Sequence, residues 1–138
     1  MKGRKRHVLV DTQGWLWGLE VTPANVQDKV GARRLAAQVA PLAPRLAHVW
    51  ADGGFGGEAL AAEYATYGWT LEIVQPTAAA RGFAVLPKRW IVERTFGWCV
   101  QQRRLRIDYE ERPEVAATFV YLALIALMTR RLVHVSTS

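Results

Sequence analysis

Two acidic residues stand in surroundings that ask for a partner. Asp52 closes the apolar run "LAHVWA" and is followed by Gly53, Gly54, Gly56 and Gly57. Glycines let backbone approach a phosphate or an ion closely, and ligands of α/β sheets are commonly held beyond the carboxyl ends of strands. The plainer alternative is a turn, where aspartate and glycine are ordinary company. Glu93 follows 41 positions later in "LPKRWIVERTFGWC", among Trp90, Ile91, Val92, Phe96 and Trp98. A carboxylate on an apolar helix face is costly unless a cation or metal compensates its charge. Its alternative is a surface glutamate paired with Arg89 four positions earlier, worth about 0.3 kcal/mol. Together the two carboxylates suggest a magnesium or manganese site, because hard divalent ions take oxygen ligands and keep waters that a substrate phosphate can replace. Two such ions can clamp the attacking and leaving oxygens of a phosphodiester, although two carboxylates are few for that task.

A basic set surrounds Glu93: Lys88, Arg89 and Arg94, then Arg103, Arg104 and Arg106 in "QQRRLRIDYEER", and finally Arg130 and Arg131. Arginine pairs bidentately with phosphate, and the interleaved Trp90, Trp98 and Tyr109 offer faces on which bases can stack. The competing interpretation is a solvated face, with Asp108, Glu110 and Glu111 neutralising part of the charge. Lys88, Arg89, Arg94, Arg103 and Arg104 are the candidate DNA contacts. Other chemistry is poorly served. His7 and His48 read as hairpin and strand residues, since no HExxH or paired His-Cys spacing exists, and "GGFGG" lacks the lysine and hydroxyl residue of a nucleotide-triphosphate loop. Cys99 reads as a core thiol.

These residues need elements to position them. His7 to Val10, the turn "DTQG" and "WLWGLEV" read as a β-hairpin, with Trp15 and Trp17 sharing one core face. After Pro23, Val30, Leu35, Ala36 and Val39 fall at helical spacing, and Asp28 is placed to cap or charge the first turn. "LAHVWA" reads as a buried strand running into the glycine-rich loop, Glu58 to Tyr67 as a helix, and "TLEIVQ" as a strand ending at Pro76. From Thr77 to Pro87 no period is visible, which suggests a loop. Helical spacing returns from Trp90 to about Arg104, and Pro113 opens a last helix to about Val133. The predicted order is β-β-α-β-α-β-α-α, a mixed α/β domain.

Composition bounds the function. With 138 residues, 51% of them hydrophobic, residues 1–138 make one domain with one core. The net charge of +6 is uneven: residues 1 to 75 carry 8 basic and 7 acidic groups, residues 76 to 138 carry 10 and 5. That excess favours a polyanionic partner, nucleic acid before membrane. A single cysteine excludes a disulfide framework and a thiolate metal site. The amino terminus lacks the pattern of a signal peptide. The apolar stretch Val115 to Met128 is 14 residues, core-helix length, so a soluble protein without a membrane span is expected.

The segments "KGRKRHVLVDTQG", "TPANVQD", "VWADGGF" and "LPKRWIVERTFGW", followed by an arginine-rich segment and an apolar last helix, resemble the carboxy-terminal catalytic part of bacterial insertion-sequence transposases of the DDE class. The resemblance implies a ribonuclease H-like fold and a metal-dependent enzyme that cuts and joins DNA strands, with Mg2+ or Mn2+ as cofactor and a cytoplasmic, nucleoid-associated place in a bacterium. It implies that Asp52 and Glu93 are the second and third acids of the triad and metal ligands. The family's first aspartate lies on a strand upstream of "KGRKRH", the central strand of the sheet, and is missing here. Asp11 is expected at the hairpin tip as a turn residue, far from Asp52; Asn25 and Asp28 would lie nearer the catalytic edge, with helix capping as their simpler role. The expectation is a partial ribonuclease H-like fold, a hairpin plus two further strands flanked by helices, in a truncated copy or second reading frame. It would need an upstream transposase polypeptide, and would form a homo-oligomer on DNA. The rival expectation is a catalytically inactive remnant that binds DNA or the transposase.

Overall fold

The computed structural model describes residues 3–74, 89–100 and 112–136, without the side chains of residues 89, 90, 93, 99 and 100. Strands β1 (Arg4–Val10) and β2 (Leu16–Pro23) form an antiparallel hairpin, in register from Arg4↔Pro23 to Leu9↔Gly18, with a one-residue shift before Val10↔Leu16. The turn is built by Asp11, whose Oδ1 accepts from the backbone N–H of Gln13 at 2.8 Å and of Trp15 at 3.0 Å. Gly14 completes it at φ 88°, a left-handed conformation that glycine adopts without strain. Asp11 is thus a turn residue, as anticipated. Trp17 is not in the core: it is 46% exposed on β2.

Helix α1 (Asp28–Val39) follows a short turn after Pro23. Its N-cap, Gln27, makes no side-chain cap, and Asp28 supplies the negative charge that favours a first turn. The buried stripe is Gly31, Ala32, Leu35, Ala36 and Val39, with Val30 only half-buried. Small residues take the closest seat because His7 packs there: a Cβ on Gly31 would come within 2.3 Å of its ring. That imidazole is buried, with Nε2 3.0 Å from Thr22 Oγ1, and burial pushes its pKa below the ordinary value.

Strand β3 (His48–Ala51) pairs in parallel with β4 (Thr70–Ile73), and α2 (Glu58–Thr66) makes the crossover between them. Parallel strands require such a connection, and α2 turns Leu60 and Tyr64 inward toward α1. Full burial of Leu60 is worth about 2 kcal/mol. The Tyr64 hydroxyl donates to the Ala32 carbonyl at 3.2 Å, and its pKa is pushed up to about 12, by burial first and by Glu63 and Tyr67 after it.

Helix α3 (Arg89–Val100) packs against β1 and against α4 (Pro113–Ser136). Ala116, Val120 and Leu124, spaced by four, form the buried stripe of α4, and the last two close on Leu19 and Val21 of the hairpin. At 24 residues α4 is longer than the apolar stretch suggested, and by length and composition alone it could cross a membrane.

Among the described residues the single core expected from composition is two, because neighbouring strand residues point to opposite faces and β1 divides them. Leu9 joins the cluster of α1, α2 and β3, while Val8 joins the cluster under α4. Helices therefore cover both faces of a mixed α/β fold made of two two-stranded sheets, β1-β2 and β3-β4.

Candidate functional site

Asp52 lies immediately beyond β3, where the chain leaves the sheet through a 3₁₀ turn, Gly53–Phe55. It is exposed, and its Oδ1 accepts from the Gly54 N–H at 3.1 Å, which holds the carboxylate toward the loop. A Cβ built on Gly54 would sit 3.3 Å from both Asp52 Oδ1 and Asp28 Oδ2, so those two oxygens lie no further apart than twice that distance. Gly53 has open space around it. The glycines therefore leave the ground between two carboxylates clear. Gly57, at φ 141°, then swings the chain into α2.

Asp28 charges the first turn of α1, as its position predicts, and its side chain also reaches two other elements. Its Oδ1 pairs with Lys5 Nζ at 3.0 Å, while its Oδ2 faces the glycine loop. The same lysine donates to the Val26 carbonyl at 3.0 Å, so β1, the turn before α1 and the loop after β3 meet at one end of the sheet. Asn25, the other residue considered for this edge, is exposed in the turn before α1.

A cavity of about 540 Å³ opens beside this cluster. Lys5, Asp28 and Asp52 lie on its wall, and so do Val92 and Phe96 of α3, the residues that flank Glu93 along that helix. Oxygen donors here suit a hard divalent ion in type. They fall short in number: among the described residues no group of three or more His, Cys, Asp or Glu is placed to hold a metal ion.

The basic candidates divide. Lys88, Arg103 and Arg104 lie outside the described residues. Arg89 opens α3. Arg94 donates through Nη2 to the Gln13 carbonyl in the hairpin turn, and its guanidinium lies 5.0 Å from the Trp98 ring centroid. Arg131 of α4 stacks over Trp98 at 4.2 Å and over Trp15 at 4.7 Å. Thr95 adds a hydrogen bond from its hydroxyl to the Gly14 carbonyl at 2.7 Å. Sequence reasoning missed this clasp, since nothing local ties a hairpin turn to a helix 81 positions away. His48 is a strand residue, as anticipated, with Nε2 2.8 Å from Glu72 Oε2 on β4.

An acid at the carboxyl end of a strand, a glycine-rich loop beside it and a helix that borders the same cavity make this an α/β domain with a cleft at a strand end, where α/β proteins commonly bind ligands. The chain belongs to the transposase DDE domain family, whose model matches residues 1–128. It is 30% identical over 131 residues to a putative transposase for insertion sequence element IS402 of Burkholderia cepacia, a match covering 87% of this chain and 60% of that protein. The chain thus spans less than two thirds of the length of that relative.

Proposed function

We propose that this chain is the carboxy-terminal part of a transposase catalytic domain of ribonuclease H-like type. Its role would be DNA transposition: cleavage of phosphodiesters at insertion-sequence ends, then strand transfer. The observation that carries this is the position of Asp52, exposed at the carboxyl end of β3 beside a glycine-rich loop and on the cavity that α3 also borders.

In the first reaction a water oxygen attacks phosphorus, the bond to the 3′-oxygen breaks, and a 3′-hydroxyl is released. In the second that hydroxyl attacks a phosphodiester of the target strand and expels its 3′-oxygen. Asp52 and Glu93 would hold Mg2+ or Mn2+, which supplies neutralisation of the phosphate and activation of the attacking oxygen. The glycines after Asp52 admit the DNA backbone at close range. Lys88, Arg89, Arg103 and Arg104 contribute contacts to phosphates, which position DNA without reading sequence. Arg94, whose guanidinium is held by the hairpin turn and Trp98, anchors α3. The first acid of the triad comes from an upstream polypeptide, joined or associated, and the assembly acts as an oligomer on DNA.

The test is nicking of supercoiled plasmid in magnesium or manganese by the purified chain, with and without an upstream transposase polypeptide, beside Asp52→Asn and Glu93→Gln. Nicking that requires the upstream polypeptide and disappears in both variants is the expected result. Nicking by the chain alone would remove the need for a partner. DNA binding that weakens with salt, with no cutting under any condition, would favour an inactive DNA-binding remnant instead.

A further inference from the structure

Between Asp52 and α2 the chain reads Gly53, Gly54, Phe55, Gly56 and Gly57, so Phe55 alone carries a side chain. The Asp52 carboxylate depends on this turn, because its Oδ1 accepts from the Gly54 N–H at 3.1 Å. Glycine loses more backbone freedom on folding than any other residue, so such a run is poorly able to hold one conformation by itself. Its own hydrogen bonds are local. The Phe55 N–H donates to the Asp52 carbonyl at 3.1 Å and the Gly56 N–H to the Gly53 carbonyl at 3.2 Å, which closes a single 3₁₀ turn. One isolated turn fixes many dihedrals for few bonds and is unfavourable alone. What orders it must come from outside.

Phe55 makes that link. Its ring is half-buried, packs against the core of α1, α2 and β3, and meets His7 of β1 with ring centroids 6.2 Å apart and planes at 83°. Perpendicular rings are a favoured aromatic arrangement. His7 is a fixed seat. It is buried, its Nε2 lies 3.0 Å from the hydroxyl of the fully buried Thr22 on β2, and Gly31 of α1 packs directly against the ring. One aromatic contact therefore ties the glycine turn to β1, β2 and α1. Because the Phe55 N–H bonds to Asp52 and the neighbouring Gly54 N–H holds its carboxylate, moving Phe55 moves both peptide groups that fix Asp52.

We propose that Phe55 is a positioning residue for Asp52: seated on His7, its ring holds the glycine turn in the conformation that keeps the Asp52 carboxylate bound to Gly54 on the wall of the cavity. The glycines then do one task and Phe55 another. Glycines keep the approach to the carboxylate open, and the single aromatic side chain supplies the rigidity they lack. The consequence for catalysis rests on the role proposed above for Asp52; the seat of Phe55 does not.

The experiment is amide nitrogen relaxation by NMR on the full chain, without metal or DNA, for the wild type, Phe55→Ala, Phe55→Tyr and Val120→Ala. Val120 lies in the other core and controls for general destabilisation. Order parameters at Gly53, Gly54 and Gly56 are expected at about 0.85 in the wild type and below about 0.6 in Phe55→Ala, with Val49 and Tyr64 unchanged. Phe55→Tyr, which keeps the ring, is expected to restore the wild-type values, and Val120→Ala to leave them intact. Glycines already mobile in the wild type, still rigid in Phe55→Ala, or loosened equally by Val120→Ala overturn the proposal. If the alanine variant does not fold, Phe55→Leu is read in its place by the same criteria. In the enzyme assembled with its upstream polypeptide, Phe55→Ala is expected to lower nicking turnover about ten-fold or more with KM for plasmid unchanged, and Phe55→Tyr to recover it. Unchanged turnover in Phe55→Ala also overturns the proposal. An assembled wild type that does not nick removes the proposed role of Asp52, while the relaxation result still decides whether Phe55 holds the turn.

Discussion

Thr95 and Gly14 are joined by a hydrogen bond of 2.7 Å across 81 positions of chain, and it fixes the helix that carries Glu93 to the tip of the hairpin. The Thr95 hydroxyl also lies 3.1 Å from the Ile91 carbonyl of its own helix, so one buried side chain ties two elements. Replacing it by Val leaves the Gly14 carbonyl without this donor, at a cost of about 1–3 kcal/mol, while Thr95→Ser retains most of the stability. Urea unfolding of the two variants checks the difference.

Gly14 itself tolerates no side chain. It combines φ 88° with contacts to a built Cβ of 3.0 Å from Thr95 Oγ1, 3.1 Å from Arg94 Nη2 and 3.3 Å from Trp98. Gly14→Ala is expected to destabilise by about 1–3 kcal/mol through backbone strain and to loosen α3. Thermal unfolding reads the first effect, and tryptophan emission the second, since Trp15 and Trp98 rings pack with centroids 5.9 Å apart.

Gly31→Ala drives a methyl group into the His7 ring, where a built Cβ already lies 2.3 Å away. Ring and helix must separate, an overpacking cost of about 1–3 kcal/mol. A double variant, Gly31→Ala with His7→Ala, is expected to recover part of the loss, which a double-mutant cycle in urea would measure.

His7 also makes stability depend on pH. Burial holds its pKa below 6.5, against smaller opposing effects of Asp28 and Glu20 and a reinforcing one of Lys5. Below pH 6.5 the unfolded chain therefore binds a proton that the folded chain resists, and stability falls as pH drops from 6.5 toward the folded-state pKa. Unfolding midpoints at pH 7.5 and 5.5 are expected to show that decline in the wild type and a smaller one in His7→Gln.

Asp28 and Asp52 separate structure from chemistry. Asp28→Asn removes an ion pair with Lys5 whose side chains are 40% and 37% exposed, so its effect on stability is expected at about 0.5 kcal/mol. Asp52→Asn keeps the oxygen that accepts from Gly54 and is expected to unfold like the wild type while abolishing metal-dependent nicking by the assembled enzyme. Parallel denaturation and plasmid assays check both.

The chain order of elements was legible because each carries its own local signal. Alternation and the "DTQG" turn mark the hairpin, Leu35, Ala36 and Val39 mark α1, and the glycines mark the end of β3 at Asp52. Pro113 marks the start of α4, as a first-turn proline does. The same local signals misjudged Trp17, because the period of a strand assigns a face but not what covers that face. They also gave Val30 a core place that Gly31 and Ala32 occupy, since hydrophobic periodicity rewards large residues where close helix packing needs small ones.

Residue type and order along the chain, which every position carries by itself, determined the domain class, the basic second half and the two acids worth pursuing. What each acid touches depends on contacts between distant segments, and these come only from packing. Tertiary structure alone shows that Asp28, in the first turn of α1, is also a neighbour of the Asp52 loop, and that Arg94 donates to the hairpin turn.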